Sequence, residues 1–276
     1  MVLERNPRFQ ALPPLQPVPP LPPLSEEILV RLGIFFTIIL LAVIGISEIF
    51  VPERLPANLP VTPVTNLPVP VPPQPITPSE IDHGDRSKQQ VIFTFDGNES
   101  SQSADLMLEI LAKHHVKATF FLTGKFVNAF PDVVRKIVAG GHEIFNHSFS
   151  HPFFTALSDD EISQQLQKMD QSLFQVAGIT AKPYFRPPYG DRNSRVLSAA
   201  FKAGYQSVYW SADTRDWQET EGRTAKDVKE YILSHVAPGT IYLMHVGTKI
   251  TGEILDEVLT SIEGRGYKIV SLTQGL

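Results

Sequence analysis

Val91-Ile92-Phe93-Thr94-Phe95-Asp96 is the stretch that decides the fold, a run of β-branched and aromatic residues that ends on a carboxylate. Such a run reads as a strand. Comparable runs occur at Ala118–Leu122, Glu143–Phe145, Tyr184–Arg186, Gln206–Trp210, Thr240–Met244 and Tyr267–Val270. Between them lie helical stretches at Ala104–His114, Pro131–Ala139, Asp159–Val176, Ser194–Ala203, Ala225–His235 and Gly252–Glu263. Ser158-Asp159-Asp160-Glu161 has the form of a capping box, and Gly140-Gly141 and Gly178 stand where helices end. Seven strands alternating with helices imply an α/β domain with a parallel sheet, either closed into a barrel or doubly wound. In both architectures the functional groups gather at the C-terminal ends of the strands.

The N-terminal third of the chain is of a different kind. Of 24 prolines, eight fall in residues 1–23 and ten in 52–78, so the regular β/α pattern is confined to residues 89–276. Residues 1–27 read as a Pro-rich tail without the apolar content to pack. Leu32–Ser47 is uncharged and apolar between Arg31 and Glu48, and extended to 28–51 it is long enough for a transmembrane helix. Arg5, Arg8 and Arg31 precede it, which places the N-terminus in the cytoplasm by the positive-inside rule. Residues 52–88 then form a semi-rigid Pro-rich linker that holds the domain 89–276 on the extracytoplasmic, or periplasmic, side of the membrane. The chain has no cysteine, which excludes disulfides, thiolate metal sites and cysteine nucleophiles. A net charge of −5 with scattered Lys and Arg gives no footprint for nucleic acid. A monomer is expected.

Asp96, His147, Arg186, Asp213, Asp216 and His245 all stand at or just past the end of an expected strand. A parallel α/β fold would collect them on one rim, although they are scattered along the sequence. In Asn146-His147-Ser148-Phe149-Ser150-His151-Pro152 two histidines are four apart, and in a first helical turn they would share one face and converge on a cation. Two histidines at this spacing are common by chance, so it is the company of the other residues that suggests a metal-assisted hydrolase.

From residue 89 on, these motifs resemble the NodB-like polysaccharide deacetylases. Thr94-Phe95-Asp96 is similar to the family's first motif, His147-Ser-Phe-Ser-His151-Pro to the second and Arg186-Pro187-Pro188-Tyr189-Gly190 to the third. Asp213-Thr-Arg-Asp216-Trp217 and Leu243-Met244-His245 are similar to the fourth and fifth, in family order. The resemblance implies a distorted (β/α) barrel of about seven parallel strands and hydrolysis of N-acetyl groups. It implies that Asp96 is the base that takes a proton from the attacking water and that His245 is the acid that protonates the leaving amine. Arg186 would orient Asp96, and Asp216 would do the same for His245. His147 and His151 would hold a divalent cation, zinc or alternatively cobalt. The backbone at Tyr189 would help bind the oxyanion, and Trp217 and Leu243 would line a slot for the acetyl methyl.

The first motif departs from the family pattern Thr-Phe-Asp-Asp-Gly: Asp96 is followed by Gly97 and Asn98, so the usual carboxylate ligand is missing. Water would then fill that position, as in relatives that deacetylate muramic acid residues, or Glu99 would reach in from the loop. The resulting expectation is a membrane-anchored deacetylase of an envelope polysaccharide, with peptidoglycan favoured. Two alternatives stay open: a deacetylase of chitin-like oligosaccharides, and a catalytically degenerate protein that binds glycan without turnover.

Overall fold

The computed structural model describes residues 79–276. The Pro-rich tail, the expected membrane span 28–51 and all of the linker before Ser79 lie outside the described residues. Among those described, no helix is long and apolar enough to cross a membrane.

Eight strands form one sheet in which every pairing is parallel. They are β1 (Gln90–Gly97), β2 (Thr119–Leu122), β3 (Glu143–Asn146), β4 (Tyr184–Phe185), β5 (Gln206–Ser207), β6 (Ala212–Asp213), β7 (Ile241–His245) and β8 (Lys268–Val270). Their order is β5-β4-β3-β2-β1-β7-β6, and β8 pairs with the start of β1. The sheet therefore curls into an incomplete (β/α) barrel, as expected, rather than a doubly wound sheet. It contains one strand more than the sequence suggests. Ala212–Asp213 is only two residues long and has no apolar run to announce it. The sequence reads Gln206–Trp210 as one continuous strand, but only Gln206–Ser207 pairs with β4. Beyond it Val208 bridges to Ile81, and Tyr209 donates to the Ile81 carbonyl.

The central strand explains how the barrel is filled. Successive side chains of a strand point to opposite faces. Val91, Phe93 and Phe95 face outward and join Met107, Leu111, Leu255 and Leu259 in the core beneath the helices. Ile92 faces inward, onto Phe121, Phe145, Val208, Ile241 and Leu272. By the same alternation Thr94 and Asp96 also point inward, nearer the C-terminal mouth. The barrel interior is thus apolar at its base and polar at its top, and that gradient positions the site.

Residues 79–88, which the sequence reading gives to the linker, lie along the barrel, with Glu80 paired to Arg192 at 2.7 Å and Gly84 donating to the Gly239 carbonyl. A short helix at Gly124–Ala129 comes directly after β2, with Thr123 as its N-cap accepting from the Phe126 N–H. No polar loop separates strand from helix, so sequence periodicity hides the boundary. The capping box at Ser158 and the left-handed Gly178 are both present at the ends of Asp159–Ala177.

Phe93 is fully buried and stacks on Tyr242 with ring centroids 4.9 Å apart. Phe93→Ala is expected to cost about 3–5 kcal/mol of stability. Urea unfolding monitored by tryptophan fluorescence reads this domain alone, because both tryptophans, Trp210 and Trp217, lie within it.

Candidate active site

Asp96 ends the inward-facing face of β1 and is almost completely buried. Its Oδ1 accepts from Arg186 Nη1 at 2.7 Å. Arg186, just after β4, is fully buried, and all three of its guanidinium nitrogens donate. Nη1 also donates to Thr94 Oγ1 at 2.8 Å, Nη2 to the Tyr209 carbonyl at 3.0 Å and Nε to the Val208 carbonyl at 3.4 Å. The Phe121 ring lies 4.1 Å from the guanidinium carbon. One arginine thus ties together β1, β2 and the segment after β5, and leaves Asp96 Oδ2 as the free edge of the carboxylate. Charges this deep require such satisfaction.

His147 and His151 converge as expected, but not through a helical turn. The segment after β3 is a loop in which Ser148 and His151 adopt left-handed backbone conformations, with φ of 68° and 61°. Such conformations are costly for residues other than glycine and persist only where surrounding contacts impose them. Those contacts are present: Ser148 N–H donates to Asn146 Oδ1, and His151 N–H to Ser148 Oγ. Phe149 and Ser150 N–H both donate to Gln165 Oε1. The result brings His147 Nε2 and His151 Nε2 to 3.1 Å, with His147 Nε2 3.4 Å from Asp96 Oδ2. His147 Nδ1 lies 2.9 Å from the Arg186 carbonyl, which can only accept, so Nδ1 carries the proton and Nε2 keeps its lone pair. Burial holds His147 below the ordinary imidazole pKa. Burial, with His147 beside it, takes His151 down to about 3. Both rings are therefore neutral at physiological pH, and the His147–Asp96 contact is not an ion pair.

The opposite wall carries a second pair. His245 ends β7, and its Nδ1 lies 2.8 Å from Asp216 Oδ1. Asp216 is fully buried, and its other oxygen accepts from the His245 N–H at 2.8 Å, Thr248 Oγ1 at 2.8 Å and Thr251 Oγ1 at 2.5 Å. Burial disfavours charge on both groups, but their mutual attraction and these hydrogen bonds outweigh it. Asp216 is held below, and His245 above, its ordinary pKa. Sequence reading finds Asp216 and misses Thr248 and Thr251; the signal is there in two threonines three apart just after His245.

Asp96, His147, His151 and His245 line one cavity of about 450 Å³. Trp217, half exposed, and Leu243, buried, stand on its wall together with Tyr189, Trp210 and Asp213. Tyr189 occupies a left-handed position (φ 57°), with its ring edge-on to His151 at 4.3 Å and stacked on Phe153 at 4.3 Å. Asp213 is raised above the ordinary carboxylate pKa, chiefly by burial. Glu99, exposed, borders the outer mouth of the cavity. Asn98 lines the cavity, and nothing in the sequence marks it as functional. Its Nδ2 lies 3.3 Å from His151 Nε2, and its Oδ1 is buried without a partner. Among the described residues, no three His, Cys, Asp or Glu side chains are placed to hold one ion.

Replacing one partner of a buried ion pair strands the other. Arg186→Met should therefore cost about 3–5 kcal/mol, and the double variant with Asp96→Asn less than the sum of the two single changes. Urea unfolding of the four proteins checks this.

The polysaccharide deacetylase family pattern matches residues 83–208. The chain is similar to the peptidoglycan-N-acetylmuramic acid deacetylase PdaA of Bacillus subtilis, at 32% identity over 189 residues, covering 68% of this chain and 72% of PdaA. It is similar to a peptidoglycan-N-acetylglucosamine deacetylase of Bacillus cereus at 34% identity, covering 68% of this chain and 69% of that protein. Among solved structures, BA3943 of Bacillus anthracis, a CE4 family pseudoenzyme, matches with a TM-score of 0.68 at 32% identity, over 72% of this chain and 69% of that one. A BA3943 mutant with restored enzymatic activity matches with the same TM-score. On these relatives and on the five motifs assembled at the barrel mouth, the chain belongs to the polysaccharide deacetylase family, a family of hydrolases.

Proposed function

We propose that this protein removes N-acetyl groups from amino sugars of a cell-envelope polysaccharide, peptidoglycan being the substrate that best fits its relatives. The observation that carries the reading is the pairing of opposites across one cavity. A carboxylate is fixed by a buried arginine on one side, and on the other a histidine is bonded through Nδ1 to a buried carboxylate that favours its protonated form. Base and acid must be in opposite protonation states to act in sequence.

His147 and His151 present two neutral imidazole nitrogens side by side, a donor pair suited to a divalent cation such as Zn²⁺ or Co²⁺. When bound, such an ion would polarise the acetyl carbonyl and make a neighbouring water more acidic. The remaining steps belong to the chain's own groups. The free Oδ2 of Asp96 takes a proton from the water as its oxygen attacks the carbonyl carbon. With Nδ1 engaged by Asp216, His245 presents Nε2 to the cavity and delivers its proton to the amide nitrogen as the carbon–nitrogen bond breaks. Acetate and a free amine leave. Trp217 and Leu243 form an apolar wall for the methyl group, and the backbone at Tyr189 borders the position of the oxyanion.

Two further elements of the reading concern the chain's setting. The apolar segment 28–51 anchors the protein as a single-pass membrane protein, and the Pro-rich linker carries the domain on the extracytoplasmic side, within reach of a wall polymer. The pseudoenzyme relative does not change the choice, because here both proton-carrying groups and both of their partners are in place.

Purified full-length protein supplied with Zn²⁺ or Co²⁺ should release acetate from peptidoglycan fragments, and Asp96→Asn or His245→Ala should lower kcat by roughly 10²–10⁴-fold. Absence of release from peptidoglycan and from chitooligosaccharides with either metal would overturn the assignment. Since Asp216 raises the pKa of His245, the acid stays protonated to higher pH than an isolated imidazole. Asp216→Asn should therefore move the alkaline limb of the kcat–pH profile to lower pH.

A further inference from the structure

Glu80 and Ile81 stand upstream of residue 83, where the family pattern begins, yet they are built into the wall of the site. β5 is the last strand on its side of the sheet, and such an edge leaves backbone groups unpaired. Ile81 takes them up: its N–H donates to the Ser207 carbonyl at 3.0 Å, and its carbonyl accepts from the Tyr209 N–H at 2.6 Å. Val208, between those two residues, is bridged to Ile81 in parallel. The carbonyls of Val208 and Tyr209 are the two that receive the Arg186 guanidinium. The backbone that seats the buried arginine is therefore pinned from outside by a residue of the linker.

Glu80 does the same for the loop that follows β4. Its Oε1 accepts from Arg192 Nε at 2.7 Å and from Ser207 Oγ at 2.9 Å, and its Oε2 from Arg192 Nη2 at 2.8 Å. A two-pronged pair of this kind fixes direction as well as distance. Arg192 Nη1 donates to the Gly190 carbonyl at 3.1 Å, and the guanidinium carbon lies 3.4 Å from the centre of the Tyr209 ring. Tyr189 and Gly190 are consecutive left-handed residues, with φ of 57° and 66°. The turn packs so closely that a Cβ on Gly190 would lie 2.8 Å from the Trp210 ring and 2.9 Å from that of Tyr209. A turn of this shape persists only where its surroundings impose it. A freely exposed ion pair could not do so, but the side chains of Glu80 and Arg192 are only 19% and 27% exposed.

We propose that Glu80 and Arg192 are positioning residues of the active site. They hold the Tyr189–Gly190 turn at the cavity wall and, with Ile81, the carbonyls that seat Arg186 behind Asp96. Neither touches the reacting groups, and their effect on turnover rests on the deacetylase reading. The segment that leads into the domain is thus part of its working structure as well as a spacer.

Two measurements on the full-length protein test this: acetate release from peptidoglycan fragments with Zn²⁺, and NMR of the Arg186 Nε–H and Gly190 N–H resonances without substrate. Glu80→Ala and Arg192→Ala should each lower kcat roughly 10–100-fold with KM changed far less, the mark of lost orientation and not of lost binding. The double variant should fall no further than the weaker single one, because either change breaks the same joint. Glu80→Gln, which keeps an acceptor for Arg192 Nε and Ser207 Oγ, should recover part of the loss. Both resonances should move in the alanine variants, with tryptophan fluorescence showing that the proteins are folded. Should an alanine variant not fold, Arg192→Lys, which keeps the charge but cannot hold Glu80 and Gly190 at once, carries the same expectation. Parent-like kcat, additive losses in the double variant, or unmoved Arg186 and Gly190 resonances would each overturn the assignment and leave the pair as a tether for the linker. If the parent itself releases no acetate, the deacetylase reading fails, and the resonances alone then decide whether the pair positions Arg186 and the turn.

Discussion

The structure depends most on the buried contact between Arg186 and Asp96. Two charges are withdrawn from water at the top of a barrel whose base is packed with Ile92, Phe121, Phe145 and Ile241. The desolvation of such a pair is expensive, and it is offset only when every donor and acceptor is used. Arg186 directs four of its five N–H groups to Asp96, Thr94 and two backbone carbonyls, and its face is covered by Phe121. Because those partners come from β1, β2 and the segment beyond β5, the arginine fixes the curvature of the incomplete barrel at its mouth. Asp96 is then held in one orientation with its other oxygen facing the cavity.

The two histidines obey the same logic from a different side. Their approach needs left-handed backbone at Ser148 and His151, which the hydrogen bonds that the loop N–H groups donate to Asn146 Oδ1 and Gln165 Oε1 impose. The Arg186 carbonyl fixes the tautomer of His147, so the residue that orients Asp96 also aims the neighbouring ring nitrogen. On the far wall, Asp216 is saturated by His245, Thr248 and Thr251 and cannot itself take the proton it stabilises. Strain and buried charge are thus gathered around one cavity, and the hydrophobic layers beneath it supply the stability that permits them.

Much of this is legible in the sequence because strand alternation and strand-end polar residues are local signals. Val91 to Asp96 announces both the inward and outward faces of β1, and five ordered motifs announce the mouth of the barrel. The features that stay hidden depend on geometry over long sequence distances or on very short elements. β6 is two residues long and exists through its pairing with β7. The left-handed residues of the histidine loop replace the helical turn that their spacing suggests, since side chains far along the chain decide the backbone there. Asn98 carries no signal beyond being a polar residue just past β1.

Burial that disfavours charge on His147 and His151, against a buried carboxylate that favours it on His245, sets the electrostatics of the site. ¹⁵N chemical shifts of the histidine ring nitrogens in the metal-free protein at about pH 6.5, the ordinary imidazole pKa, test this directly. His245 is expected to be protonated on both nitrogens, whereas His147 and His151 are neutral and His147 carries its proton on Nδ1. A neutral His245, or a cationic His147 or His151, at that pH would contradict it.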